Sequence, residues 1–174
     1  MDIEGKIKVA GIIKESVTDG PGLRYVIFGQ GCKHRCEGCQ NPHTHDYTKG
    51  EWRNIADIYD DICNNPLLDG VTFSGGEPFM QSNKFATLSH MIKDNEKTKH
   101  LDIICYTGYT WGELMWMMPY VTSASDLIRT VDYIIDGRFE KDKKTLDCPF
   151  RGSSNQRFID VKMSLNTGEI VTVM

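Results

Sequence analysis

Four short apolar runs, each closed by a polar or glycine-rich turn, constrain the fold of this chain most. Arg24-Tyr25-Val26-Ile27-Phe28 ends in Gly29-Gln30-Gly31, and Gly70-Val71-Thr72-Phe73 runs into Ser74-Gly75-Gly76-Glu77-Pro78. Leu101 to Tyr106 ends in Thr107-Gly108-Tyr109, and Val131 to Ile135 ends in Asp136-Gly137. Runs this short, bounded by turn residues, read as strands. Between them, Ile55, Ile58, Tyr59 and Ile62 recur at helical spacing from Trp52 to Asn64, and Pro66 stops that helix. Ser82 is placed to cap a second helix that buries Phe85, Leu88 and Ile92. Thr110 to Met118 reads as a third, and Lys6 to Lys14 as a further strand. The tail, Arg157 to Met163 and then Glu169 to Val173 across Asn166-Thr167-Gly168, reads as a terminal hairpin extension over about 157–174.

Strands alternating with helices imply right-handed βαβ units, an α/β fold and mainly parallel strands. Such sheets place their sites beyond the C-terminal ends of the strands. The 174 residues fit one domain, 1–174, and fall short of the ~250 that a closed eight-unit barrel takes. A partial, open (β/α) barrel is therefore expected.

The loop after the first of these runs reads Cys32-Lys33-His34-Arg35-Cys36-Glu37-Gly38-Cys39, a C-x3-C-x2-C spacing. Thiolates suit iron–sulfur clusters, zinc and Cu(I). A cubane cluster takes four ligands, so three cysteines leave one iron open to a small chelating molecule. A zinc site completed by His34, His43 or His45 is the competing reading, although no second cysteine pair follows. Cys63 and Cys105 sit where a helix and a strand would bury them, while Cys148 beside Pro149 lies in an irregular segment. His43 and His45 are expected on the surface or the pocket wall. Trp111, Met115, Trp116 and Met118 fit helix packing or an exposed patch.

A formal net charge of −4 gives no electrostatic reason to expect a nucleic-acid or membrane partner. No apolar run approaches the ~20 residues of a membrane helix. The acidic start, Met1-Asp2-Ile3-Glu4-Gly5, carries no signal-peptide core. A cytoplasmic protein is expected.

The cysteine spacing on the loop after a strand, with Gly75-Gly76-Glu77-Pro78 after the next, resembles the radical S-adenosylmethionine (SAM) superfamily. Asp19-Gly20-Pro21-Gly22-Leu23-Arg24 is similar to the entry of its glycyl-radical activating enzymes. Asp136-Gly137-Arg138-Phe139-Glu140, Arg151-Gly152-Ser153-Ser154-Asn155-Gln156-Arg157 and Gly38 before the third cysteine resemble the activases of the anaerobic (class III) ribonucleoside-triphosphate reductases. The likeness runs from about Gly11 to about Arg157. It implies a [4Fe–4S] cluster on Cys32, Cys36 and Cys39, with S-adenosyl-L-methionine on the open iron. It also implies adenosyl contacts at Gly38, Cys39 and Gln40, and methionyl contacts at Gly75, Gly76 and Glu77. Thr107 fits the same pocket or a plain turn. The implied reaction makes a glycyl radical on the reductase, with electrons from a flavodoxin-like or ferredoxin-like donor. Activation of another glycyl-radical enzyme, and a structural zinc module, are the alternatives. Asp19, Arg24 and Arg151 are candidate docking residues, each equally suited to a cap or an ion pair.

Overall fold

The computed structural model describes residues 4–173. The acidic start at Met1 to Ile3 and the last residue, Met174, lie outside them. In chain order the elements are β1 (Lys6–Ser16), β2 (Arg24–Gly29), β3 (Glu51–Asn54) and α1 (Ile55–Cys63). Then come β4 (Gly70–Gly75), α2 (Ser82–Asp94), β5 (Asp102–Tyr106), α3 (Trp111–Met117) and α4 (Thr122–Thr130). The chain closes with β6 (Tyr133–Asp136), β7 (Arg157–Asp160) and α5 (Val161–Thr167).

The strands form one mixed sheet in the order β3-β1-β2-β4-β5-β6-β7. The four apolar runs become its parallel centre, β2, β4, β5 and β6. On one side β1 pairs antiparallel with both β2 and β3, and on the other β7 pairs antiparallel with β6. The sheet is thus parallel at its centre and antiparallel at its edges. The central strands follow chain order without reversal. Right-handed crossovers then place every helix on one face.

Burial agrees with that geometry. Tyr25, Ile27, Val71, Phe73, Ile103, Cys105 and Ile134 pack against Ile58 and Ile62 of α1, Phe85 and Leu88 of α2, Leu114 of α3 and Leu127 of α4. The intervening strand residues point to the other face. There Ile104, Ile135 and Phe158 form a second cluster, capped by Tyr106, Tyr133 and Phe150. Among the described residues no α-helix contributes to this cluster; Phe150, from the long connection 138–156, packs on it instead.

Three expectations need correction. The first turn of the expected helix from Trp52 is strand β3, because Lys6 to Val9 of β1 pair with Asn54 to Glu51. Ser82 does not cap α2; its hydroxyl meets that of Ser123 at 2.7 Å. A 3-10 turn over Pro78–Gln81 leads into α2, and its cap is the Glu77 side chain, which accepts from Phe79 N–H. The tail is not a simple hairpin. The Asp160 carboxylate accepts from Met163 N–H at 2.8 Å and starts α5. The chain then does return beside β7, where Val173 N–H reaches the Phe158 carbonyl at 3.0 Å. No helix of the described residues is long and apolar enough to cross a membrane.

Candidate functional site

A cavity of about 370 Å³ opens where β2, β4, β5 and β6 end. Cys32, Cys36 and Cys39 line it, as do Gln40, Gly75, Gly76 and Thr107. Seven of the nine residues expected to hold the cluster and its ligand therefore share one space, although they come from three loops. Gly38 and Glu77 do not border it. Gly38 faces the Phe139 ring, which a Cβ there would meet at 3.4 Å. Glu77 is 1% exposed and stands behind the wall.

The two motifs are stitched together by backbone. Gly76 N–H donates to the Gly29 carbonyl at 2.8 Å, and Glu77 N–H to the Gly31 carbonyl at 2.9 Å. Only glycine permits this approach. Gly75 has φ +90°, and a Cβ on it would lie 2.6 Å from the Phe28 and Gly29 backbone. A Cβ on Gly76 would lie 2.4 Å from the Gly31 carbonyl oxygen.

The Glu77 carboxylate is held by Phe79 N–H at 3.0 Å, Thr107 Oγ1 at 2.9 Å, Gly108 N–H at 2.9 Å and His34 Nε2 at 2.8 Å. Thr107 thus both lines the cavity and braces the carboxylate behind it. Among the other expected residues, His43 is exposed and His45 is half-buried on the cavity wall. Burial, then the Arg35 charge, hold His45 below the usual histidine range.

The thiols fit a cluster by their chemistry. The donor set is all sulfur, which soft metals favour. Burial pushes the Cys32 and Cys39 thiols up, opposed by backbone N–H groups of His34 and Arg35 at Cys32 and of Asn41 at Cys39. Asn41 N–H reaches the Cys39 sulfur at 3.4 Å. Amide donors to sulfur are a lever by which proteins tune iron–sulfur clusters. A bound metal supplies the positive charge that keeps such thiols deprotonated. Among the described residues, no three His, Cys, Asp or Glu side chains converge as a site for a single metal ion.

The far wall of the cavity was less legible. Phe139, Leu146, Cys148, Pro149, Phe150, Arg151, Gly152 and Gln156 complete it from the 138–156 connection. Tyr106 O–H donates to the Phe150 carbonyl at 2.7 Å, and Gln156 Oε1 accepts from Gly152 N–H at 2.9 Å. The signal available was length, since connections beyond about 12–15 residues are usually functional. Asp19 and Arg151 border the cavity. Arg24 is a correction: it is fully buried and unavailable for docking. Cys105 is buried as expected, whereas Cys63 is only half-buried. Trp111 and Leu114 pack inward, but Trp116 is 75% exposed.

The family model described as a 4Fe-4S single cluster domain matches residues 18–159. The chain is 33% identical to the anaerobic ribonucleoside-triphosphate reductase-activating protein of Vibrio cholerae, over 80% of this chain and 89% of that one. It is 32% identical to the protein of the same description from Enterobacteria phage T4, covering 80% and 85%. For that of Escherichia coli K12 the identity is 30%, covering 80% and 90%.

Proposed function

Because this chain belongs to the 4Fe-4S single cluster domain family and, within it, to the anaerobic ribonucleoside-triphosphate reductase-activating proteins, we propose that it cleaves S-adenosyl-L-methionine reductively at a [4Fe–4S] cluster and generates a glycyl radical on that reductase. One observation carries this: three thiols and the Gly75-Gly76 turn border a single cavity at the ends of parallel strands. Cys32, Cys36 and Cys39 would each hold one iron and leave the fourth open to the methionyl amine and carboxylate. A reduced cluster bound there would supply the one electron that breaks the sulfonium–C5′ bond, so that methionine leaves and the adenosyl fragment takes up a hydrogen atom from the glycine Cα.

The side chains need transfer no proton in this step. Their work is to bind, orient and exclude water. The turn at Gly75-Gly76 offers backbone carbonyls to the methionyl ammonium group, with Thr107 beside it and Glu77 supporting the wall from behind. Cys39 and Gln40 border the cavity and would meet the adenosyl group, with Gly38 the preceding residue in the chain. The partner's glycine must come within ~3–3.5 Å of the reacting carbon, and it would have to pass the 138–156 connection that walls the cavity. The sheet, with its helices on one face, suits a partial, open barrel of radical SAM type. A flavodoxin-like or ferredoxin-like protein would be the electron donor, and the cytoplasm the setting.

Anaerobic reconstitution should give a brown protein with about four irons per chain. Reduced with dithionite, it should release methionine and 5′-deoxyadenosine, and with the reductase it should yield a glycyl radical by EPR. Cys36→Ala should lose SAM cleavage. Full cleavage by that variant, or a colourless protein holding one zinc and no iron, would overturn the assignment.

A further inference from the structure

Little backbone holds the cysteine loop to the body of the protein. From Cys32 to Cys39 among the described residues, Cys32 N–H donates to the His45 carbonyl at 3.3 Å, and Cys39 N–H to the Cys36 carbonyl inside the loop at 3.2 Å. Lys33, Arg35, Glu37 and Gly38 are exposed. His34 differs from these neighbours, with a side chain only 3% exposed.

Three groups make its slot. Its Nε2 lies 2.8 Å from Oε2 of Glu77, whose side chain is fully buried. Both oxygens of that carboxylate already accept from backbone N–H groups, of Phe79 and of Gly108. The His34 Nε2–H therefore donates. The ring meets Tyr109 edge to face, with centroids 4.8 Å apart. Gly108 forms the floor, where a Cβ would lie 2.4 Å from the His34 ring.

We infer that His34 is a positioning residue: inserted between the exits of β4 and β5, it pins the loop that carries Cys32, Cys36 and Cys39, with Glu77 as its anchor and Gly108 as its seat. The functional sense of the pin rests on the proposed role of those cysteines as cluster ligands. A loop with so few backbone bonds samples many conformations unless a side chain restrains it. Removing His34 also takes away one of the four donors that match the buried Glu77 carboxylate, so the loss is larger than that of an exposed contact.

The test compares the full-length wild type with His34→Leu, His34→Gln and Gly108→Ala. In the cluster-free protein, followed by hydrogen exchange and mass spectrometry, His34→Leu and Gly108→Ala should speed exchange over residues 32–41 by about tenfold. The peptides of β4 and β5 should be unchanged. His34→Gln, whose amide can donate to Glu77, should restore most of the protection. After reconstitution, the first two variants should hold fewer irons per chain and show an altered EPR spectrum of the reduced cluster, with His34→Gln close to wild type.

Unchanged loop exchange in His34→Leu overturns the inference. So does exchange raised uniformly across the sheet, because His34 would then hold the core and not the loop. If His34→Leu does not fold, Gly108→Ala decides by the same criteria, since it leaves both hydrogen-bonding partners in place. A wild type that takes up no iron would count against the cluster proposal and leave the exchange result standing. A normal wild-type cluster with no loosening in the variants would count against the pin alone.

Discussion

Arg24 illustrates how a side chain's surroundings decide its role. Its Nε donates to Thr72 Oγ1 at 2.6 Å, and Nη1 to the Pro21 carbonyl at 3.1 Å. Its Nη2 reaches the Val71 carbonyl at 2.8 Å and Asp102 Oδ1 at 2.6 Å. A guanidinium is strongly disfavoured in an interior unless its donors are matched, and here they are. The residue joins the first residues of β2 and β5 to the second and third of β4, at the end of the sheet away from the cavity. Arg24→Ala should cost about 3 kcal/mol, because it leaves buried Thr72 Oγ1 and the Pro21 and Val71 carbonyls without their donor. A melting temperature lower by roughly 6–12 °C would register that loss in a chain of this size. A change under about 2 °C would mean that water replaces the guanidinium at little cost.

At the scale of elements, α3 carries charge as well as a cap. Thr110 Oγ1 accepts from Glu113 N–H at 3.2 Å, and Glu113 Oε2 accepts from Thr110 N–H at 2.7 Å, a reciprocal capping box. Arg138, at the start of the 138–156 connection, reaches the same carboxylate at 3.0 and 3.3 Å. The Arg138 hydrogen bond, followed by the backbone bond from Thr110, holds the Glu113 carboxyl below the usual glutamate range. A folded pKa below the unfolded one adds stability above the unfolded pKa, which is lost as pH falls through the folded value. The Tm gap between wild type and Glu113→Gln should therefore be largest above about pH 5 and shrink as the pH falls below about 4. Glutamine keeps an oxygen for the capping box but loses the charge and the second oxygen that Arg138 reaches, so the difference reports the whole Glu113–Arg138 pair. A gap constant with pH would contradict the assignment.

Elements also show where periodicity misleads. Trp52 to Asn54 continue the helical spacing of α1, yet pairing with Lys6 to Val9 makes them a strand. Arg157 to Met163 alternate like a strand, but Asp160 caps a helix three residues before the alternation ends. Those two outcomes depended on a neighbour far away in sequence or on a single cap. α4 had no counterpart among the expected helices, although Ala124, Leu127 and Ile128 recur at helical spacing.

Across the whole molecule, the two faces of the sheet sort the cysteines. Cys105 points into the helix layer, fully buried, and burial raises its thiol well above the usual range. Cys148 lies on the opposite side, in the cavity wall. Reactivity follows thiolate character and access. In the native, cluster-free protein, alkylation should reach Cys148 early and Cys105 only on global unfolding, as read by mass spectrometry of peptides. Early labelling of Cys105 would mean that the sheet opens locally at β5.

By itself the sequence determined the parallel centre of the sheet and placed three thiols in one loop beyond it. Apolar runs ending in glycine turns are local signals, and three soft donors within one loop need no partner to be recognised. Tertiary structure alone decided the edges of the sheet, the buried role of Arg24 and the far wall from 138 to 156. It also decided that His34, placed among possible zinc ligands by its spacing, sits on the cavity wall with its ring in a slot made by Glu77, Gly108 and Tyr109. Those outcomes depend on hydrogen bonds and close approaches between segments tens of residues apart, which no local pattern encodes.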